Sequence, residues 1–429
     1  MTLLLLIVFV LCMAIAFPIV VAMGLGAIAP HLAGLSLPTN AVYIIRTMVV
    51  GLDSTPILAI PLFILSGALM ANGGISKNLF DIFAFISGKR TAGLPIAVIL
   101  TCLFYGAISG SGPATCAAVG AMTIPLLVSL GYDKTFCAAL VATSGGLGLI
   151  IPPSISFINY ALVTGTSITS LFIGGILPGI LIALCLMGYA FFYCKRHGED
   201  KEKIAENYQK LKARGLINVL SKGFWALLSP IIILGSIYSG ICTPTEAAAI
   251  SVLYALLVSV YGYRILTWRQ VPGVIMESVK SVAPLCMLIA MATALSRILT
   301  LANAPQQLAE FIQGVLPGPI FFLIVMNVLL LVIGMFIDGA PAILILSPLL
   351  LPVAQSYGID PIHFGIIIVV NMAIGLATPP FGLNLFIVSS MTEESVLDIG
   401  KKTIPFILTF IVALLLITFI PALSLVFVN

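Results

Sequence analysis

The sequence predicts an all-α, polytopic membrane protein built from two repeats of inverted topology. Three observations predict this fold: the chain is too apolar for water, its apolar stretches are as long as a bilayer is thick, and its two halves break at matching prolines. Of the 429 residues, 61% are hydrophobic and 8% are charged, whereas soluble domains carry about 25% charged residues. Lipid is therefore the expected solvent for most of the surface.

Apolar stretches of spanning length recur along the whole chain. A bilayer core is about 30 Å thick and a helix rises about 1.5 Å per residue, so a span needs about 20 residues. The predicted spans are 2–29, 40–72, 134–164, 168–194, 222–240, 244–264, 274–302, 360–391 and 395–428. The first is longer than a signal-peptide core and lacks a basic leader, which indicates a retained membrane helix.

The polar residues are concentrated in one segment, 195–222, which we interpret as a solvated linker that could include a short surface helix. The net charge of +4 is spread over a few loops, so no nucleic-acid partner is expected. The eight cysteines occur singly and mostly within apolar runs, which favours packing over disulfides or metal binding.

Two further apolar regions, 94–130 and 318–357, contain a Gly/Pro-rich break near the middle, and we predict that each is a re-entrant helical hairpin. When the two halves are aligned so that Pro125 falls on Pro352, the prolines Pro152, Pro153 and Pro178 fall on Pro379, Pro380 and Pro405. Proline breaks helices, so matched prolines indicate matched breaks. The predicted parts are a first repeat, 1–194, with a broken helix at 134–164; a loop and linker helix, 195–240; and a second repeat, 241–429, with a broken helix at 360–391.

The distribution of basic residues predicts the orientation. If each hairpin counts as no crossing, each repeat crosses four times and the linker helix crosses once. With the N-terminus in the cytoplasm and the C-terminus in the periplasm, the inner segments hold 17 of the 19 Lys and Arg residues. The predicted outer loops near 30–38, 165–168, 303–318 and 356–361 hold none. This bias is the one that the positive-inside rule expects.

Four breaks are candidates for ion or substrate sites: 109–113, 145–153, 338–341 and 375–380. Unwound backbone inside a membrane is costly unless it lines a cavity or binds something, and secondary transporters use such breaks to hold ions and anions. Glycines, hydroxyls and free carbonyls supply neutral oxygens that suit Na⁺. A single break is often only a packing kink, but four breaks paired by the repeat favour binding sites.

Three carboxylates in the predicted apolar regions stand out: Asp53, Glu246 and Asp338. Asp338 lies in a break and is the candidate charged ligand for Na⁺, although it could instead cap the half-helix that begins at Pro341. For Asp53 and Glu246 a helix-capping role is preferred. The sequence contains no recognisable nucleophile–base set, HExxH motif or P-loop, so we expect a non-enzyme driven by an ion gradient or by a partner.

Several runs resemble one family. PLFILSGALMANGGIS (61–76), GAISGSGPATCAAVGAMTIPLL (106–127), GLGLIIPPSISFINYALVTGTSI (146–168), GICTPTEAAAI (240–250) and GLATPPFGLNLFI (375–387) are similar to the large membrane (M) subunit of tripartite ATP-independent periplasmic (TRAP) transporters, of the ion-transporter-like superfamily. The resemblance covers essentially the whole chain. TPTEAAA together with the two Pro-Pro breaks is its most specific part.

The resemblance implies an elevator-type sodium symporter, with a scaffold and a moving transport domain, in a bacterial inner membrane. It also implies a periplasmic substrate-binding protein that delivers a carboxylate-bearing solute, commonly a C4-dicarboxylate or sialic acid, and a small membrane subunit, expected here as a separate chain. An alternative is a stand-alone, ion-coupled anion transporter of related fold.

Site residues can be carried over from the family. One Na⁺ site would use Ser109, Ser111, Gly145, Gly148 and Pro152, and the other would use Asp338, Thr378, Phe381 and Gly382. The roles of Phe381 and Gly382 follow from the resemblance alone. Hydroxyls and amides are expected around the solute, which makes Ser154, Asn159 and Asn384 candidates for substrate contacts.

Overall fold

The computed structural model describes residues 2–34, 39–213 and 215–428, and this part of the chain is helical, without a β-strand. The predicted all-α class is confirmed. Arg214 and part of the predicted outer loop near 30–38 lie outside the described residues. In the described part, nine helices are long and apolar enough to cross a membrane, and a bent pair would make a tenth.

The helices are α1 (Thr2–Ala14), α2 (Ile19–Leu32), α3 (Ala41–Leu52), α4 (Ala59–Asn72), α5 (Ile75–Ser87), α6 (Gly93–Ser109), α7 (Gly112–Ser129), α8 (Lys134–Gly145), α9 (Leu147–Ile150), α10 (Ile155–Thr164), α11 (Ile168–His197), α12 (Lys201–Ala213), α13 (Leu216–Tyr238), α14 (Pro244–Leu257), α15 (Val271–Leu301), α16 (Ala304–Val315), α17 (Pro319–Phe336), α18 (Gly339–Ser356), α19 (Pro361–Gly375), α20 (Leu383–Thr392), α21 (Val396–Phe419) and α22 (Ala422–Leu425).

The prediction of one spanning helix over 2–29 is wrong. The segment forms α1 and α2, which pack against each other, and Gly26 lies opposite Leu5 and Phe9, so the two helices are antiparallel. Each helix has 13 or 14 residues, about 20 Å, which is too short to cross a bilayer core. Pro18 ends the first run because proline cannot continue a helix. The prediction of a cytoplasmic N-terminus counted residues 2–29 as one membrane crossing. The structure removes that crossing from the count.

The predicted span 40–72 is also interrupted. Helix α3 ends at Leu52, and a 3₁₀ turn, Thr55–Leu58, precedes α4. Pro56 lacks an amide hydrogen and restricts the residue before it, so the α-helix cannot run through this point. Five other predicted spans have no central break, and each corresponds to a long apolar helix. These helices are α11, α13, α15, α21 and α14, the last extended by the π turn Val258–Gly262.

Each half of the chain contains one helical hairpin and one broken helix. Helices α6 and α7 meet at Gly110, which has a φ of +62°, and α17 and α18 meet at Ile337–Asp338. The run α8–α9 is bent by 42° from α10, and residues 376–382 separate α19 from α20. A cis Pro-Pro peptide lies in each broken helix.

The helices pack into two groups. In the first, which we call the α4 group (α1–α4 and α13–α15), α4 lies along α14, and α15 crosses α2, α3 and α4. In the second, which we call the hairpin group (α6–α11 and α17–α22), α8 packs against α6, α7, α20 and α21. Helix α5 lies between α6 and α13, and α15 contacts α18. A cavity lies at the interface between these two groups.

Loops from both halves meet at one end of the molecule. Lys134 lies 3.5 Å from Glu394, and Lys402 lies 3.3 Å from Asp133. At the same end the Glu199 carboxylate accepts from the Ala92 amide at 3.0 Å and from the Tyr132 hydroxyl at 2.5 Å. Burial raises the pKa of Tyr132, and its hydrogen bond to Glu199 raises that pKa further. The segments that the basic residues assign to the inner side are therefore neighbours in space.

Candidate functional site

A cavity of about 900 Å³ lies between the two helix groups. Both hairpin tips line it: Ser109–Ser111 and Pro113 from the first, and Asp338–Pro341 from the second. The facing wall comes from α4 and α15, and residues 18–20, from the turn between α1 and α2, also reach it. A cavity that touches both tips and both helix groups is the natural candidate for a binding site.

Each hairpin tip carries a glycine where it contacts the broken helices. A Cβ on Gly112 would lie 2.8 Å from Leu376, and one on Gly339 would lie 3.3 Å from Leu149. The broken helices cross at the same place, where a Cβ on Gly146 would lie 2.9 Å from the Ala373 carbonyl oxygen. Side chains at these positions would separate the tips from the breaks.

The residues of the first predicted ion site lie close together. The Ser109 and Thr115 hydroxyl oxygens lie 2.8 Å apart, and Thr115 donates to the Ser111 carbonyl oxygen at 2.8 Å. A Cβ on Gly148 would lie 2.6 Å from that same carbonyl oxygen, so only glycine fits there. The cluster contains only neutral oxygens, which could turn toward a small hard cation.

Gly145 and the Pro152 turn complete the surroundings of this cluster. The Gly145 carbonyl oxygen lies 3.3 Å from where a Cβ on Gly112 would be. The turn that follows Pro152 is tied to the hairpin tip, since the Ile155 amide donates to the Gly110 carbonyl oxygen at 3.2 Å. Thr115 was not among the site residues predicted from the sequence, although it lies one helical turn after Ser111 and so shares its face.

The residues of the second predicted ion site lie on two segments, the tip of the second hairpin and the break between α19 and α20. Asp338 caps α18 by accepting from the Gly339 amide at 2.8 Å, and the residue lines the cavity. Thr378 donates to the Ile374 carbonyl oxygen at 2.7 Å, and its own carbonyl oxygen accepts from the Gly382 amide at 3.1 Å. Phe381 is 54% exposed, with its ring 5.4 Å from that of Phe336. This ring contact joins the second hairpin to the turn that holds residues 378–382.

The three predicted substrate contacts occupy different environments. Asn159 lines the cavity, is fully buried, and neither polar atom of its side-chain amide has a partner among the described residues. Ser154 caps α10 by accepting from the Phe157 amide at 3.3 Å. Asn384 donates to the Ala142 carbonyl oxygen at 2.8 Å and so ties α20 to α8 away from the cavity lining.

The cavity holds a second carboxylate that our sequence analysis overlooked. Glu277 of α15 lines it together with Ser278 and Ser281. The signal was available, since Glu277 is an acidic residue within the predicted span 274–302. The described lining includes Asp338 and Glu277 but no Lys, Arg or His. By contrast, Glu246 is structural, because it forms a capping box with Thr243 at the start of α14.

The family model for the DctM component of tripartite ATP-independent periplasmic transporters matches residues 6–423. The chain belongs to this family. The resemblance of the sequence motifs to the TRAP large membrane subunit is thereby confirmed, and the chain is a multi-pass membrane permease subunit of the TRAP type.

Relatives of this permease carry several solute names. The chain is 40% identical to an isethionate TRAP transporter permease of Oleidesulfovibrio alaskensis, over 98% of this chain and 65% of that protein. It is 41% identical to a C4-dicarboxylate TRAP transporter large permease of Pseudomonas aeruginosa, over 87% of this chain and 86% of the relative. It is 35% identical to the 2,3-diketo-L-gulonate TRAP transporter large permease of Escherichia coli, over 88% and 87%.

Two solved structures share the fold of this TRAP permease. The YdaH transporter of Alcanivorax borkumensis matches with a TM-score of 0.61 at 16% identity, over 90% of this chain and 89% of that one. MtrF of Neisseria gonorrhoeae matches with a TM-score of 0.60 at 14% identity, over 88% and 83%. At this level of identity the likeness concerns the fold alone.

Proposed function

We propose that this chain is the large subunit of a sodium-coupled TRAP transporter that imports a small organic acid across a bacterial inner membrane. The observation that carries the proposal is the cavity bounded by both hairpin tips. The solutes named for its relatives, C4-dicarboxylates, isethionate and diketogulonate, support a compact, oxygen-rich anion. Sialic acid rests on the sequence resemblance alone.

The charges of the cavity support a cation as co-substrate. The lining has two carboxylates and no basic side chain among its described residues, so an organic anion would need positive charge from another source. The N-termini of α7 and α18 face the cavity and carry partial positive charge. In our proposal, Na⁺ at the Ser109–Thr115 cluster and near Asp338 supplies the rest.

The packing supports an elevator mechanism. In our proposal the hairpin group moves as one body against the α4 group, and the cavity travels with the hairpin tips. Gly67 of α4 lies directly against the Ser109 tip, where its missing side chain permits close approach. The matched hairpins and broken helices support two inverted repeats, which would give the inward and outward states similar energies.

The proposed partners are a periplasmic binding protein, which delivers the solute, and a small membrane subunit, which contacts the α4 group. The alternative, a stand-alone anion transporter, differs in one respect that can be measured. It would take up solute without a soluble binding protein.

The test is uptake into proteoliposomes that contain this chain with its small subunit. We would supply candidate anions with and without the cognate binding protein, under an inward Na⁺ gradient or a choline control. We expect uptake of one anion that requires both Na⁺ and the binding protein. Uptake without the binding protein would favour the alternative, and uptake that is equal in choline would exclude sodium coupling.

A further inference from the structure

A chain of four buried polar side chains runs through the second half of the molecule, apart from the cavity. Asn371 donates to the Asn327 side-chain oxygen at 2.7 Å, and Asn327 donates to the Thr418 hydroxyl at 3.1 Å. His363 Nε2 lies 3.2 Å from the Thr418 carbonyl oxygen. All four side chains are at most 4% exposed. They connect α17, α19 and α21.

The chain leads from the end of a helix toward its break. His363 lies in the first turn of α19, next to the exposed Asp360 that caps this helix. Asn371 is eight residues further along the same helix, or about 12 Å. One turn beyond Asn371, α19 ends at Gly375, where the broken segment begins.

The hydrogen bonds determine where His363 could accept a proton. A carbonyl oxygen only accepts, so Nε2 carries the hydrogen that binds the Thr418 carbonyl. Nδ1 then holds a lone pair, and it has no partner among the described residues. The Asn371 side-chain oxygen is likewise unpartnered within that part of the chain. Buried polar atoms without partners usually mark ordered water, which could bring a proton to Nδ1.

The charges around His363 are few. On its own helix the nearest is Asp360, and Tyr160 of α10 donates to the Pro361 carbonyl oxygen at 2.7 Å. Helices α9, α17, α18 and α22, which pack against α19, contain no ionisable side chain. Helices α11 and α21 carry their charged residues at the end remote from Thr418. A proton on His363 would therefore face one carboxylate and no described cation.

The corresponding positions of the first half do not repeat this polar chain. In the alignment that places Pro125 on Pro352, the counterparts of His363, Asn371 and Thr418 are Phe136, Ser144 and Phe191. In the alignment of the hairpins, which is offset by one further position, the counterpart of Asn327 is Ile99. Three of these four counterparts are apolar and none is ionisable. An ionisable residue buried within a membrane bundle is a functional hypothesis by default.

We propose that His363 is a proton-binding site and that Thr418, Asn327 and Asn371 couple it to the break at Gly375. The ligand is a proton that water supplies at the Asp360 end of α19. The proton binds the Nδ1 lone pair of His363 and forms an N–H bond. Protonation would leave the Nε2 hydrogen bond to the Thr418 carbonyl in place but strengthen it, because the donor becomes charged. The stronger pull on Thr418 would reach Asn327 and Asn371 through the Thr418 hydroxyl and so alter the segment that follows Asn371. This site goes beyond the proposed sodium coupling and does not depend on the identity of the solute.

The test is a ¹³C-histidine NMR titration of the full chain with its small subunit in nanodiscs. The sequence has three histidines, and His363→Gln assigns the relevant signal while it keeps a donor for the Thr418 carbonyl. Thr418→Val interrupts the chain but leaves the carbonyl that His363 binds. Thr409→Val is the matched control, since Thr409 is on the same helix and its hydroxyl donates to the Phe406 carbonyl oxygen, outside the polar chain.

We expect the His363 signal to titrate reversibly below pH 7. We also expect Thr418→Val to move its midpoint by about half a pH unit or more, with no change in Thr409→Val. A His363 signal that stays neutral down to pH 4.5 would overturn the proton site. A titration that Thr418→Val leaves unchanged would overturn the coupling. Neither readout requires transport, so failure of the proposed function is measured separately.

Discussion

Two pairs of glycines determine how closely the hairpins approach the broken helices. A Cβ on Gly106 would lie 2.8 Å from the Gly148 Cα, and a Cβ on Gly334 would lie 3.2 Å from the Gly375 Cα. Both pairs join a hairpin to a break, and their members correspond when the two repeats are aligned. The backbone contacts that shape the candidate site therefore depend on residues that have no side chain.

The first prediction concerns these contacts. In Gly375→Ala the new methyl group would lie 2.5 Å from the Gly334 carbonyl group, and overpacking of this kind costs about 1–3 kcal/mol. We expect a lower melting temperature in detergent micelles. Gly188→Ala is the control, because no atom of the described residues lies within 4 Å of a Cβ at that position and alanine favours a helix by about 0.5–1 kcal/mol. Equal melting temperatures for the two variants would contradict the close contact.

The second prediction concerns Asp338. Asp338→Asn keeps the shape and an oxygen but removes the charge that would attract Na⁺. We expect the Na⁺ concentration for half-maximal uptake to rise about tenfold or more, equivalent to about 1.4 kcal/mol, while the binding protein still docks. Ser109→Ala should have a smaller effect, since its cluster relies on several neutral oxygens. If Asp338→Asn leaves the sodium dependence unchanged, Asp338 serves only to cap α18.

At the level of whole elements, the first hairpin tip lies directly against α4. A Cβ on Gly67 would lie 3.1 Å from the Ser109 Cα and 3.6 Å from its Cβ. The second distance is within the range of Cβ–Cβ separations that a disulfide bridges, about 3.5–4.5 Å. The two elements belong to different helix groups, so a bond between them is a direct probe of relative motion.

The third prediction uses this proximity. In a background without native cysteines, Gly67→Cys combined with Ser109→Cys should form a disulfide on oxidation. We expect uptake to stop when the bond forms and to recover when the bond is reduced. Ser109→Cys alone should be insensitive to oxidation. Undiminished uptake after complete cross-linking would exclude a sliding motion between the tip and α4.

The fourth prediction concerns the tie between the two halves. Burial acts to raise the pKa of Asp133, but hydrogen bonds from Thr135 and Lys402 outweigh it, and the folded-state pKa is lowered. Stability from this carboxylate is therefore present above its unfolded pKa, about 3.9, and is lost as pH falls through the folded value.

Asp133→Asn should remove that pH-dependent stability, by no more than about 1 kcal/mol, because the pair with Lys402 is partly exposed. Melting temperatures measured from pH 7 down to pH 3 would show it, and asparagine still caps α8. A variant that loses stability with acid as steeply as the native chain would rule out this contribution.

At the scale of the whole molecule, the segments that meet at the Glu199 end carry most of the charge, and they should face the cytoplasm. The fifth prediction is that a cysteine at Asn207, in α12, reacts with an impermeant reagent only in permeabilised cells. Val315→Cys, in the predicted outer loop near 303–318, is the matched control and should react in intact cells. Labelling of residue 207 in intact cells would reverse the orientation. The position of the N-terminus needs its own label, because the hairpin α1–α2 altered the crossing count.

The sequence alone determined the helical class, the broken helices and the family. Composition sets the solvent, prolines act on the backbone where they stand, and both effects are local. The same local reasoning found the residues at the breaks, including Ser109, Gly148 and Asp338. It also showed that Glu246 should cap a helix, and the structure contains that cap.

The tertiary structure determined which residues that are distant in the sequence contact one another. It folded residues 2–29 into a hairpin, placed Thr115 beside Ser109, and brought Glu277 into the cavity. These features depend on contacts between residues far apart in the chain, and hydropathy cannot encode such contacts. An apolar run such as 2–29 has the same hydropathy whether it crosses a bilayer once or turns back at Pro18. Its neighbours in space determine which of these two structures it adopts.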